Sequence, residues 1–291
     1  ADAVRNAQAL IDLTECYHLA GFKDVRFMPE PEAAALANRA VLAPGDLGLI
    51  VDIGGGTSDF TLFRQEGDKG IHILASKGVR MGGTDFDREL SLHHVMPHLG
   101  MGSQIKHVFG SETHAAPHAV FTDLATWQKI PFLYTREQRR AVDDLAKYAV
   151  QPDLLNRLVK VLEDELGHDI AFAVEAGKIA ANDVAATAPP EIKLDILERG
   201  LRVPLPPAMM AATLNEMANS IAQVATDLVA QTDLAPADVN KLIFVGGSSL
   251  MGVIDMAMRR AFPQAELHRG AAMTAIVDGL AIAASHAFPP E

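Results

Sequence analysis

The chain has 291 residues, 49% hydrophobic and 21% charged, with a formal net charge of −12 at pH 7. That length and balance predict one large domain or two modest ones, with enough core to stand without disulfides or a structural metal. The acidic balance, with no polybasic stretch, excludes nucleic acid and anionic membrane surfaces as partners, and no apolar run is long enough to span a bilayer.

Residues 1–20 carry apolar side chains at helical spacing, and Gly21 is a natural stop. Cys16 is the only cysteine, so no internal disulfide can form; this fits a reducing compartment, and a cytoplasmic location is expected. Its neighbours Leu13, Tyr17 and Leu19 predict a small buried thiol on that helix. The start lacks an initiator Met and the basic-then-apolar layout of a secretory signal, and the chain is expected to be a piece of a longer protein. Residues 25–28 predict a short strand. Pro29-Glu30-Pro31 is a rigid junction, with Pro31 at the first position of an alanine-rich helix over 32–40. Pro44-Gly45 turns the chain into a strand, a glycine turn and a second strand over 49–63, followed by a third strand over 71–79. Gly82-Gly83 opens another helix.

Residues 93–187 predict mostly helix, broken by a mobile loop over 100–117 rich in Gly, His and Ser. A β-hairpin is expected over 191–205, turned at Glu198-Arg199-Gly200, then a long helix over 207–231. A buried strand over 241–245 ends in Gly246-Gly247-Ser248, and helices over 250–262 and 272–286 bracket a short strand at 266–268. This order predicts an α/β core interrupted by a helical insertion.

The chemistry concentrates in Leu49-Ile50-Val51-Asp52-Ile53-Gly54-Gly55-Gly56-Thr57-Ser58-Asp59-Phe60. Gly54, Gly55 and Gly56 present no side chain that would keep an anion from the backbone N–H groups. Thr57 adds a hydroxyl donor, and Asp52 a hard oxygen ligand for the Mg²⁺ that accompanies phosphates. The turn is read as the holder of a nucleotide's phosphates, against the plainer reading of a tight hairpin. Gly246-Gly247-Ser248 stands at a strand end, where α/β sheets bind ligands, although such glycines also serve close packing alone. Met81-Gly82-Gly83-Thr84-Asp85-Phe86-Asp87 is either an acid-rich helix start that suits the helix dipole or a second close approach to an anion. Glu175 and Lys178 share a helix face, as a solvated ion pair or as paired contacts to a ligand. His94 and His98 could face one way on a helix, but no acid or cysteine completes a metal set. Neither a Ser-His-Asp pattern nor a Walker-type lysine loop is present.

Taken in order, Pro29-Glu30-Pro31-Glu32-Ala33-Ala34-Ala35, Val51 to Asp59, Gly82 to Asp87, Glu175-Ala176-Gly177-Lys178 and Phe244-Val245-Gly246-Gly247-Ser248 resemble the ATPase domain of the seventy-kilodalton heat-shock chaperones, the DnaK-like proteins. The resemblance implies an actin-like (ribonuclease H-like) α/β ATPase fold. Residues 1–46 would be a remnant of its first lobe, 47–92 and 201–291 the core of the second lobe, and 93–200 a mostly helical insertion. It implies ATP or ADP with Mg²⁺ as ligands, and unfolded protein clients or co-chaperones as partners of the parent protein. Gly54, Gly55, Gly56 and Thr57 would contact the β- and γ-phosphates. Asp52 and Glu30 would hold Mg²⁺ largely through water and position the attacking water. Gly83 would line the phosphate cleft, Glu175 and Lys178 would bind the ribose hydroxyls, and Gly246, Gly247 and Ser248 would pack on the adenosine. Positioning and charge neutralisation dominate such phosphoryl transfer.

The departures shape the expectation. The family's first phosphate loop and its catalytic lysine have no counterpart here, so this chain by itself is expected to hydrolyse little ATP. The adenine-stacking arginine is replaced near Leu250, and the Arg and Ser after the ribose-binding lysine appear as Ile179 and Asn182. The 291 residues contain no counterpart of the family's peptide-binding domain, so client binding of the usual kind is not expected of them. Two other readings stand beside the chaperone ATPase: a sugar or small-acid kinase of the same superfamily, and a non-catalytic nucleotide-sensing or scaffold module.

Overall fold

The computed structural model describes residues 3–67, 70–107, 112–269 and 273–288. Helix α1 (Ala3–Leu19) and helix α2 (Glu30–Ala37) precede strands β1 (Leu47–Ile53), β2 (Ser58–Gln65) and β3 (Ile71–Val79) and helix α3 (Gly83–Leu90). After a single π turn at Ser91–Val95 come β4 (Gln104–Lys106), β5 (Thr113–Ala115), α4 (His118–Leu124), a 3-10 segment (Trp127–Leu133), α5 (Arg136–Tyr148), α6 (Pro152–Glu163) and α7 (Gly167–Asn182). The hairpin β6 (Glu191–Lys193) and β7 (Arg202–Pro204) leads into α8 (Pro207–Ala230), β8 (Lys241–Val245), α9 (Gly252–Ala261), β9 (Glu266–His268) and α10 (Ala275–Ala287).

One five-stranded mixed sheet, in the order β3-β2-β1-β8-β9, organises the chain. The β1–β2 and β2–β3 pairs are antiparallel, and β1–β8 and β8–β9 are parallel. β1 is central and buried almost throughout, which is why its sequence is a near-continuous apolar run rather than an alternation. Its side chains still divide by parity. Leu49, Val51 and Ile53 join the larger core with α3, α8 and α9, while Ile50 joins Ala34, Ala35, Leu42, Phe63, Ile243, Val245 and Ala275 under α2 and α10. Asp52 shares the parity of Ile50 and therefore lies on the α2 side of the sheet.

Helix α8 buries Met210, Leu214, Ala218, Ile221, Ala225 and Leu228 along one stripe, at the three-and-four spacing of a core-facing helix. The insertion is mostly helical, with Leu155, Leu158, Val161 and Leu162 of α6 and Ile170 and Val174 of α7 inside it. Residues 100–117, expected as an irregular loop, contain the β4–β5 hairpin, anchored by buried Ile105; residues 108–111 of that expectation lie outside the described residues.

Two expectations at the N-terminal end are corrected. Residues 25–28 form no strand, because no neighbouring strand lies alongside to supply ladder hydrogen bonds. Cys16 is exposed rather than buried. Leu13 and Tyr17 of helix α1 line a cleft together with Leu280 and Phe288, and Val4, Leu10, Ile11 and Leu19 are exposed. Helix α2 packs on the sheet, with Ala33, Ala34 and Ala35 fully buried.

Helices α2 and α10 meet at backbone distance. A Cβ on Gly279 would lie within 1.8 Å of the Ala33 carbonyl oxygen. Gly279→Ala should therefore separate the two helices and destabilise the chain by about 2 kcal/mol or more. An unchanged urea midpoint for this variant would contradict that packing.

Candidate functional site

The centre of the site is the turn between β1 and β2. Register pairs Asp52 with Asp59 and Ile53 with Ser58, leaving Gly54 to Thr57 as the turn, closed by a 2.9 Å bond from Gly54 N–H to the Thr57 carbonyl. Gly55, Gly56 and Thr57 are exposed. Among the described residues their N–H groups make no backbone hydrogen bond. A Cβ on Gly55 or Gly56 would meet nothing within 4 Å, so the approach to these donors is open. Consecutive outward N–H groups of this kind form an anion-binding concavity.

Helix α3 docks on the other side of the same turn. Gly83 N–H donates to the Gly54 carbonyl at 2.9 Å, and Thr84 donates to the Gly55 carbonyl through both its N–H (2.7 Å) and its Oγ1 (2.9 Å). Asp85 accepts from Gly82 N–H at 3.0 Å and so caps the helix. The Gly83 N–H is thus committed to the hairpin, and the value of Gly82 and Gly83 is close approach. A Cβ on Gly82 would lie 2.8 Å from the backbone of Gly54 and Gly55, and one on Gly83 would lie 2.5 Å from the Ser248 hydroxyl. Gly246 has a φ of 79°, and its hypothetical Cβ would fall 2.5 Å from the Ile53 carbonyl oxygen and 2.9 Å from Asp52 Oδ1. Only glycine suits that position. Gly54 to Thr57, Gly83, Gly246 and Ser248 are therefore brought together; Gly247 is exposed beside the Met273 thioether.

The acids gather on the α2 side. Asp59 stands directly across the strands from Asp52, and Glu30 opens α2 on that face. Burial first, then the charges of Asp59 and Glu30, push the Asp52 carboxyl up to about 6. Asp59 carries no role in the sequence reading, although it lies inside the quoted motif; the antiparallel register, which a sequence does not print, supplies its place. Among the described residues, no three His, Cys, Asp or Glu side chains converge to ligate one ion directly. The donors are hard oxygens only, which suits an ion that keeps several waters.

Lys178 and Glu175 separate. Lys178 is 7% exposed and holds Asp87 of α3 at 2.8–2.9 Å, so it is not a solvated partner of Glu175, which is exposed. Burial raises the Asp87 carboxyl and outweighs the pull of Lys178, and Glu175 pushes it further up. Beyond this pair, Asn182 donates to the Leu250 carbonyl at 3.3 Å and accepts from Gly252 N–H at 2.8 Å. Two positions that depart from the family pattern thus meet, and Asn182 ties α7 to the start of α9. His94 is engaged with Thr213 at 2.9 Å, and its pKa is lowered by burial.

No protein-family profile matches the chain. It is 35% identical over 96 residues to the human heat shock 70 kDa protein 13, a stretch covering 31% of this chain and 20% of that protein. The mouse protein of the same name is 33% identical over 99 residues, covering 32% and 21%. The cell shape-determining protein Mbl of Bacillus subtilis is 26% identical over 190 residues, covering 65% of this chain and 50% of Mbl. The chain therefore spans about a fifth of the heat shock relatives and half of Mbl. Its sheet and helices have the actin-like ATPase fold. The similarities support the nucleotide-binding actin-like ATPase superfamily as a whole rather than its DnaK-like branch.

Two outcomes follow from the buried charges. Asp52 binds its proton more tightly folded than unfolded, so it penalises folding as pH rises from about 4 through about 6. Asp52→Asn should remove that penalty, making the variant more stable than the parent by about 1–2 kcal/mol at pH 7.5 after allowance for solvent screening, read as a higher Tm, with little difference at pH 4. Lys178→Met should leave Asp87 buried without its cation and cost about 3 kcal/mol, much of it recovered in the double variant with Asp87→Asn. Chemical denaturation of the four proteins checks the cycle.

Proposed function

We propose that this chain is the phosphate-binding lobe of a DnaK-like ATPase, holding ATP or ADP with Mg²⁺ against the turn Gly54 to Thr57. The observation that carries this reading is the open turn itself: unobstructed N–H donors at Gly55, Gly56 and Thr57 beside a repelled group of acids at Asp52, Asp59 and Glu30. Phosphate oxygens match the donors, and hydrated Mg²⁺ matches the acids and would relieve their mutual repulsion. The ion supplies charge neutralisation for the transferring phosphoryl group.

The residues of the chain then divide the work. N–H groups of the turn and the Thr57 hydroxyl orient the β- and γ-phosphates. Asp52 and Glu30 orient water, and Asp52, ionised at neutral pH yet raised to about 6, is suited to accept a proton from it at a carboxylate oxygen. Gly83 and Ser248 border the phosphates, with Gly246 and Gly247 beside the nucleoside. Glu175 is free to accept from ribose hydroxyls, whereas Lys178 reaches them only by leaving Asp87. Chaperone clients and co-chaperones belong to this reading through the parent protein.

One observation favours a second reading. Asn182 is tied to Leu250 and Gly252 rather than left free for a ligand, and Ile179 stands exposed where the family places an arginine. Weak adenine recognition would suit a nucleotide-sensing or scaffold module, in line with the likeness to Mbl. Calorimetric titration of the chain with Mg²⁺–ATP tests both. Saturable binding, weakened about tenfold or more by Gly55→Val, is expected, because that side chain enters open space and blocks the donors without disturbing the fold. Equal affinity in the variant would refute the turn as the phosphate site.

A further inference from the structure

A second cleft, of about 220 Å³, opens where α3 and α7 meet the start of the 3-10 segment. Its lining is of two kinds. Trp127 and Phe172 supply the aromatic lining, edge to face with centroids 5.2 Å apart, and His168 braces Trp127 at 4.6 Å. Asp87, Glu175 and Thr84 supply the polar lining, with Glu175 three residues from Phe172 on α7 and so on the same helix face, and Leu124 adds apolar lining. The phosphate site described above uses neither aromatic ring.

The charges of the polar lining are unbalanced. Lys178 neutralises Asp87 from behind, and Asp87 Oδ1 is buried without a donor in hydrogen-bonding geometry. Glu175 is an exposed acid in the lining, with no cationic partner among the described residues. An anion would meet repulsion here, on a chain that is already acidic overall. A neutral apolar body would satisfy the rings and leave Glu175 unused. A cationic nitrogen on an apolar stem uses both, the carboxylate and the rings.

We propose that this cleft binds an organic cation, an alkyl- or arylammonium group with its nitrogen at Glu175 and its apolar stem against Trp127 and Phe172. The same chemistry is carried by a free small amine and by a lysine side chain presented on another polypeptide. Thr84 lines the cleft and also holds the Gly55 carbonyl through its N–H and hydroxyl, so an occupied cleft bears directly on the glycine turn. The proposal does not require that the turn bind nucleotide.

Trp127 is the only tryptophan in the chain, so its emission reports on this cleft alone. The purified chain, without nucleotide, would be titrated with benzylamine, with benzyl alcohol as the neutral isostere and with benzoate as the anion. A parallel arm would use N-acetyl-lysine amide against N-acetyl-norleucine amide. The expected result is a saturable change in emission for a cation, about tenfold tighter than for its neutral counterpart, with no response to benzoate. Glu175→Gln should abolish the preference for the cation without changing the far-UV circular dichroism, because Glu175 is exposed. Preference for benzylamine alone assigns the cleft to free amines, and preference for the lysine derivative alone to a presented side chain. Equal responses to cation and neutral isostere, or a cation preference that survives Glu175→Gln, would overturn the proposal. So would the absence of saturable binding in both arms, with ligand-observed proton NMR as the check independent of fluorescence. Glu175 is shared with the ribose contact of the proposed nucleotide site, whereas the glycine turn is not; the amine titration is made without nucleotide and Gly55→Val tests the turn with Mg²⁺–ATP, so either reading can fail without the other.

Discussion

The first turn of α3 hydrogen-bonds to the carbonyls of Gly54 and Gly55, and the site depends on that contact. A helix start has N–H groups without intrahelical partners, and a tight turn has carbonyls that its own strands do not use. Joining them satisfies both and leaves the N–H groups of Gly55, Gly56 and Thr57, on exposed residues, without a backbone acceptor among the described residues. The same contact sets α3 against the sheet, and α3 in turn presents Asp87 to Lys178 of the insertion. One backbone junction thereby orients the phosphate-binding edge and the helical layer above it.

The second constraint is electrostatic. Strand register sets Asp59 beside Asp52 and the start of α2 brings Glu30 to the same face, so that burial first and then the two neighbouring charges raise the Asp52 pKa. Natural folds retain such an arrangement where a ligand relieves it. The Lys178–Asp87 pair is the contrasting case. Its charges compensate each other inside the protein, and breaking it would cost more than its net contribution to stability. The one pair fits structural tethering of the insertion to the core, and the acidic face fits ligand binding.

Much of the fold was legible in the sequence because local and tertiary preferences agree there. β3 and β8 run over the predicted residues, and α8 ends one residue short of the expected stop. The glycine turn was legible because a run of three glycines between two apolar strands has few other uses. Residues 25–28 and Cys16 were misread because both expectations presumed packing neighbours, and apolar composition alone does not supply them. The partner of Lys178 was also hidden. Sequence spacing offered Glu175, three residues away on the same helix, whereas the structure brings up Asp87 from another element.

By itself, the sequence determined the order of the main sheet strands and long helices, the α/β class and the glycine turn, since these follow from periodicity and from the conformational freedom of glycine. The tertiary structure alone decided that Asp59 faces Asp52, that the Gly83 N–H is spent on the hairpin, and that Asn182 bridges to Leu250 and Gly252. It also decided that Trp127 and Glu175 share a cleft. These are contacts between residues distant along the chain or across a register, and they depend on how faces pack, which no local pattern encodes.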